Sequence, residues 1–216
     1  MTVATVALLH TADSNVALFD QAADRLGVAD RLRLVHRVRP DLLAAVEAAG
    51  GLTPELAHHT AHLLAGLAGE ARGVILTCSS LGPAVEGLSP GPVPVIRADA
   101  ALAAAACARP GRVSVLFAAP TSRAVTDRLF TQAAVRTGAV IDLRYVEDAW
   151  NAFQAGDNRT YAALIQQEMR RARAEGADRI ALAQTSMTVA IQAWSHGAPV
   201  LTVPVAALQY LAGDLV

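Results

Sequence analysis

The sequence predicts an α/β fold: two pseudosymmetric, doubly wound parallel-sheet lobes with the active site in the cleft between them. Three observations predict it. Short apolar runs alternate with amphipathic segments of helix length, the pattern of parallel βαβ units. The pattern occurs twice, since Leu8-Leu9-His10-Thr11 matches Leu116-Phe117-Ala118-Ala119 at an offset of 108 residues and Cys78 matches Gln184 at an offset of 106. Each half also carries an apolar strand that ends in hydroxyl-bearing residues. Gly73-Val74-Ile75 leads into Leu76-Thr77-Cys78-Ser79-Ser80-Leu81-Gly82-Pro83, and Arg179–Ala183 leads into Gln184-Thr185-Ser186-Met187.

In the first half, Val3–Leu9 is an apolar strand, and Ser14 is placed to cap a helix carrying Val16, Phe19, Ala23 and Leu26 at helical spacing. Leu32–Val38 is a second strand. Pro40 opens a helix through Val46, which Gly50-Gly51 ends. Thr53-Pro54-Glu55 reads as a cap with proline in the first turn, starting an amphipathic helix to about Glu70. The Cys78 strand follows, then Val93–Ile96 after the Pro/Gly-rich segment 89–94.

The second half restarts at Val113–Phe117, with a helix from Ser122 to Arg136 and a strand at Val140–Tyr145. A polar-faced helix over Asn158–Glu175 precedes the Gln184 strand, and Val200–Val203 is the last strand. The crossover falls near Arg97–Asp99, and the helix after Pro204 is expected to pack back onto the first lobe. Residues 1–97 with 204–216 are thus expected to form one lobe, and 98–203 the other.

Composition narrows the function. The chain has 216 residues and a net charge of −1, and all 18 of its basic side chains are arginine. Without lysine there is no Schiff base, which excludes pyridoxal-phosphate enzymes, lysine aldolases and Walker-type nucleotide hydrolases. No G-x-G-x-x-G follows a strand, so a dinucleotide cofactor has no support. The dispersed arginines form no basic stripe, and nucleic acid is not an expected partner. No apolar run approaches the ~18 residues of a spanning helix, and Asp13, Asp20 and Asp24 interrupt the amino terminus, so the expectation is a cytoplasmic protein without a membrane partner. Two cysteines, Cys78 and Cys107, are too few for a disulfide framework or a zinc site.

Cys78 is the principal candidate. A thiol at the carboxyl end of a strand faces the crevice where open α/β sheets bind ligands, and helix-terminal N–H groups nearby are expected to lower its pKa. Cys107, near a helix end among alanines, reads as a small buried hydrophobe. His58 and His62 share a helix face, but no H-E-x-x-H pattern or third ligand accompanies them, and no metal is expected. His196 before Gly197 suits a helix-end cap. Arg37, Arg39, Arg97 and Arg123 are candidates to clamp a second carboxylate, Arg123 being the best placed beside a strand-end loop. Glu147 and Asp148 read as loop or rim residues.

With these residues in hand, the duplicated lobes, Leu76-Thr77-Cys78-Ser79-Ser80 and Ala183-Gln184-Thr185-Ser186 resemble the aspartate/glutamate/hydantoin racemase superfamily, over essentially the whole chain. The resemblance implies two α/β lobes, each offering a cysteine, with one thiol removing the α-proton of a small carboxylate substrate and the other returning it. It implies no organic cofactor and no metal. Maleate isomerases and single-thiol arylmalonate decarboxylases are relatives, and members often pair, so a homo-oligomer is among the expected partners. Carried over by position, Cys78 matches the first catalytic cysteine. Ser79 and Ser80 match residues that contact substrate carboxylate oxygens, with Thr185 and Ser186 in the corresponding second-lobe places. His10-Thr11 and Pro120-Thr121-Ser122 match the loops of the cleft floor.

Gln184 departs from that pattern, because a neutral amide does not titrate. One thiol can protonate a carbanion after carbon dioxide leaves. It can add to an activated double bond and depart after rotation, or pair with another base, His10 being the nearest by topology, and racemise. Each route needs donors on the substrate carboxylate, which Ser79, Ser80, Thr185 and Ser186 would supply, with Gln184 adding an amide donor. The expectation is therefore a cofactor-independent racemase or isomerase acting next to the carboxylate of a small acid or amino acid. A malonate-type decarboxylase and a non-catalytic carboxylate-binding protein are the alternatives.

Overall fold

In a computed structural model of the chain, the described residues form eight strands in two four-stranded parallel sheets. The structure describes residues 3–192, 194 and 199–215. Contacts divide the chain into two units, one running up to Ala101 and resuming at Pro204, the other spanning Leu102–Val203.

In the first unit, β1 (Ala4–His10) and β3 (Gly73–Leu76) lie at the centre, paired with Leu9 opposite Leu76. The edge strands are β2 (Leu32–Val38) and β4 (Val95–Arg97). Helices cover both faces of the central strands, so these read as continuous apolar runs, while edge strand β2 is mostly half-buried or exposed. Side chains of β1 alternate between the faces. His10 meets Phe19 of α1 (Ser14–Leu26), whereas Ala7 and Leu9 pack with Leu42 and Val46 of α2 (Pro40–Ala48) and Leu64 of α3 (Pro54–Ala68).

Local signals explain most element ends. Pro40 and Pro54 occupy first-turn positions, and the Thr53 hydroxyl accepts from the Leu56 N–H at 3.3 Å. Ser14 is not the expected cap. It is the first residue of α1, and Asp13 stands at the cap in helical conformation without a side-chain bond. After Cys78 the chain turns as a 3-10 helix over Ser79–Gly87, and α4 (Ala98–Ala106) follows β4 directly.

In the second unit β5 (Gly111–Phe117) pairs with β6 (Ala139–Tyr145) on one side and β7 (Arg179–Leu182) on the other, with β8 (Val200–Thr202) beyond. The helices of this unit are α5 (Arg123–Val135), a short α6 (Ala149–Gln154) that follows Asp148, and α7 (Asn158–Ala174), while α8 (Val203–Leu215) belongs from Pro204 onward to the first unit. Among the described residues no helix is long and apolar enough to cross a membrane.

The strand order makes each unit doubly wound, with its switch point between β1 and β3 or between β5 and β7. Ligands bind outside the carboxyl ends of the strands at such points. In the first unit those ends are His10-Thr11 and Thr77-Cys78. In the second they are Ala118-Ala119 and Ala183-Gln184.

Candidate active site

The two strand ends of the first unit are tied by backbone and side chain. The Thr77 N–H donates to Leu9 O at 3.1 Å, and the Thr77 hydroxyl donates to the same carbonyl at 3.0 Å. With its proton committed, the Thr77 oxygen accepts from His10 Nδ1–H at 2.9 Å. His10 Nε2 must then be bare, and it accepts from His36 Nδ1–H at 2.8 Å. His36 Nε2 faces Asp20 Oδ1 at 3.1 Å, which ends the chain at the surface. Burial, followed by the neighbouring His36, lowers the His10 pKa to about 3, in keeping with a neutral ring there.

His10 is 0% exposed and both its nitrogens are engaged, so the ring braces β1, β2 and β3 and turns no atom outward. The residue expected to meet substrate, or to serve as the second base, is a buried strut in this arrangement.

Cys78 begins the 3-10 turn in extended conformation (φ −96°, ψ 115°), so the chain leaves β3 and redirects the backbone N–H groups of Ser80 and Leu81 toward the sulfur. The Thr11 side chain bonds it as well. These donors favour the thiolate, yet desolvation outweighs them and the Asp99 charge adds to it, so the thiol pKa is raised. This corrects the expected direction: Cys78, although it keeps partial exposure, holds its proton at neutral pH. Thr11, Ser79 and Ser80 surround it as buried polar residues.

Arg97, at the end of β4, is buried between two carboxylates. It donates to Asp99 at 3.1 and 3.0 Å and to Glu86 at 2.7 Å. The guanidinium lies against Gly82, where a Cβ would stand 2.5 Å from Nη2. A side chain at Gly82 would therefore displace the guanidinium from this position, and Arg97, a candidate clamp for substrate, spends its charge within the chain. Asp99, whose field reaches Cys78, was not singled out from the sequence as a site residue, because only folding brings the start of α4 near the turn after β3.

In the second unit the Ala183 N–H donates to Leu116 O at 2.9 Å, repeating the Thr77–Leu9 backbone bond. Alanine has no hydroxyl to add to it. Gln184 instead reaches across: its Oε1 accepts from the N–H groups of Ala118 and Ala119 at 2.6 and 2.9 Å. Two donors fix the amide orientation, leaving Nε2 as the outward polar group. Ser186 Oγ bonds Tyr161 OH at 2.8 Å, and burial raises the Tyr161 pKa. Tyr161 was missed in the sequence because its spacing with Ile165 and Met169 is that of a core stripe. Thr185 is buried and Thr121 half-buried, while Ser122 is 0% exposed and donates to Ala119 O at 2.8 Å as a turn brace.

Other candidates lie apart. Arg123 is an exposed first residue of α5, and Asp148 caps α6 in left-handed conformation (φ 60°). Cys107 is buried, its thiol 3.9 Å from Phe130 O. Among the described residues no group of three or more His, Cys, Asp or Glu could hold a metal. His196 lies outside the described residues.

A family model for Asp/Glu/Hydantoin racemase matches residues 91–211. The chain belongs to the Asp/Glu/hydantoin racemase family. Gln184, Thr185 and Ser186 fall within the matched span, and Cys78 precedes it. Solved racemase structures share the fold along the whole chain. An aspartate racemase from Picrophilus torridus superposes with a TM-score of 0.73 at 13% identity, covering 97% of this chain and 94% of its own. A glutamate racemase from Bacillus anthracis gives 0.69 at 11%, covering 98% and 81%. An allantoin racemase from Pseudomonas fluorescens gives 0.58 at 15%, covering 97% and 89%. No curated protein sequence matches the chain.

Proposed function

We propose that this family member is a cofactor-independent isomerase of the racemase type, acting at the carbon next to the carboxylate of a small acid or amino acid, with Cys78 as its proton-transferring thiol. The observation that carries the reading is the setting of Cys78 at the switch point of its sheet, with the Thr11 side chain and the Ser80 and Leu81 N–H groups directed at the sulfur. A carbanion beside a carboxylate spreads its charge onto the carboxylate oxygens, and the hydroxyls of Ser79, Ser80, Thr185 and Ser186 are the donors proposed to hold them. Thr121 and the Nε2 of Gln184 are proposed to add polar contacts.

In the racemase reading a solvent water takes the α-proton on one face, the C–H electron pair spreading into the carboxylate, and the proton resting on Sγ passes to the carbanion carbon on the other face. The electron pair of the broken S–H bond stays on sulfur as thiolate, stabilised by the three donors. The reverse transfer from an α-carbon regenerates the thiol. One observation favours a second reading. Gln184 holds a non-titrating amide where a second thiol would stand, so the chain supplies one identified proton donor, which suits delivery to a single face after a malonate-like acid loses carbon dioxide.

Incubation in D₂O with amino acids, hydroxy acids, malonates and maleate, followed by proton NMR beside a Cys78→Ala variant, separates the readings. Deuterium at the α-carbon with inversion supports the racemase, and carbon dioxide release with one-sided deuteration supports the decarboxylase. Turnover that survives Cys78→Ala overturns the thiol assignment. Saturable binding of an acid without turnover identifies a carboxylate-binding protein.

A further inference from the structure

On the Leu9 side of the first sheet, away from His10, a cavity of about 330 Å³ opens between the end of β2 and α3. Leu9, Leu63 and Leu67 give it an apolar floor, and Arg37, Arg39 and His62 stand at its rim. Cys78, Thr11, Ser79 and Ser80 do not line it. Arg39 is oriented by a two-point ion pair with Asp41, at 2.8 and 2.7 Å, which also offsets its charge. Arg37 is exposed and has no ion-pair or hydrogen-bond partner among the described residues. A guanidinium without a counter-charge at an apolar mouth selects an anion, and its planar fork matches a carboxylate.

Gly66 stands exposed at the edge of the cavity. It lies inside α3 with ordinary helical backbone and lines the same cavity. A Cβ at this position would meet nothing within 4 Å, so no neighbour requires a glycine, and alanine would serve the helix better.

We infer that this cavity is a binding site for a small carboxylate with a compact apolar body, of the aromatic or branched aliphatic monocarboxylate class. Its hydrocarbon part rests on Leu9, Leu63 and Leu67 beside Gly66, and its carboxylate meets Arg37. The volume is at the small end of ligand pockets and suits a single ring or a short branched chain.

Benzoate is the probe, titrated into the protein by calorimetry and followed through the amide resonances of α3. Saturable binding is expected, weakened at least tenfold in Arg37→Met and lost in Gly66→Leu. Benzyl alcohol, which lacks the charge, is expected to bind at least tenfold more weakly. Gly66→Ala guards against a folding artefact, since it should raise the thermal midpoint while weakening benzoate. The proposal is overturned by absence of saturable binding, by equal binding of benzyl alcohol, or by affinity unchanged in Arg37→Met and Gly66→Ala. Loss of binding in Ser80→Ala with Arg37→Met unaffected also overturns it, moving the ligand to the turn after β3.

Discussion

Gln184 and Ala118 are joined by a side-chain to backbone hydrogen bond of 2.6 Å, and the same Oε1 takes a second bond from Ala119. Both alanines are almost fully buried, so removing the amide strands two N–H donors away from water. Gln184→Ala should therefore lower stability by about 1–3 kcal/mol in urea denaturation. Gln184→Glu, whose carboxylate accepts both bonds at neutral pH, should stay close to the parent and weaken on acidification. Equal losses in the two variants would mean that side-chain volume, not the acceptor, matters.

The Cys78 thiol is raised by desolvation, so its alkylation by iodoacetamide should be slower at pH 7 than that of a free cysteine. The midpoint of the rate–pH curve should lie above the ~8.5 of an unperturbed thiol. Thr11→Val removes a bond that favours thiolate and should move the midpoint higher still. A midpoint below that of free cysteine would contradict the desolvated setting.

His10 titrates near pH 3 when folded and near 6.5 when exposed, so between those values the unfolded chain binds the extra proton. Unfolding is thus favoured as pH falls from about 6.5 toward 3, with a slope approaching about 1.4 kcal/mol per pH unit from this one group. Chemical denaturation across that range should show the slope in the parent and a shallower one in His10→Gln.

Gly82→Ala places a methyl group against the Arg97 guanidinium, which has Asp99 and Glu86 on its other sides. Displacing a buried cation from its partners should cost about 3 kcal/mol or more, read as a fall in thermal midpoint. A parent-like midpoint would show that Arg97 can swing aside.

The alternation of strands and helices was legible in the sequence because the central strands are buried on both faces and read as unbroken apolar runs. Thr53-Pro54 marked its helix start by local chemistry alone, while Ser14 misled, since the chain was already helical at Asp13. The short α6 escaped because six residues carry too little periodicity to signal a helix. At the site, residue types were readable and their electrostatics were not. The direction of the Cys78 shift depends on burial set against three donors, and the enclosure of His10 depends on His36 and Asp20, which other elements deliver. The Gln184 amide was recognised as non-titrating, but its grip on Ala118 and Ala119 exists only once β5 and β7 lie side by side.

The unit that carries Cys78 is discontinuous, resuming at Pro204 after the whole of residues 102–203. A ribosome therefore delivers Ala207, Leu208 and Leu211 of α8, all fully buried, only after the intervening unit has been synthesised. During translation the first unit stays without its last segment until the second has been made. Truncation of α8 would strike the half of the protein made first.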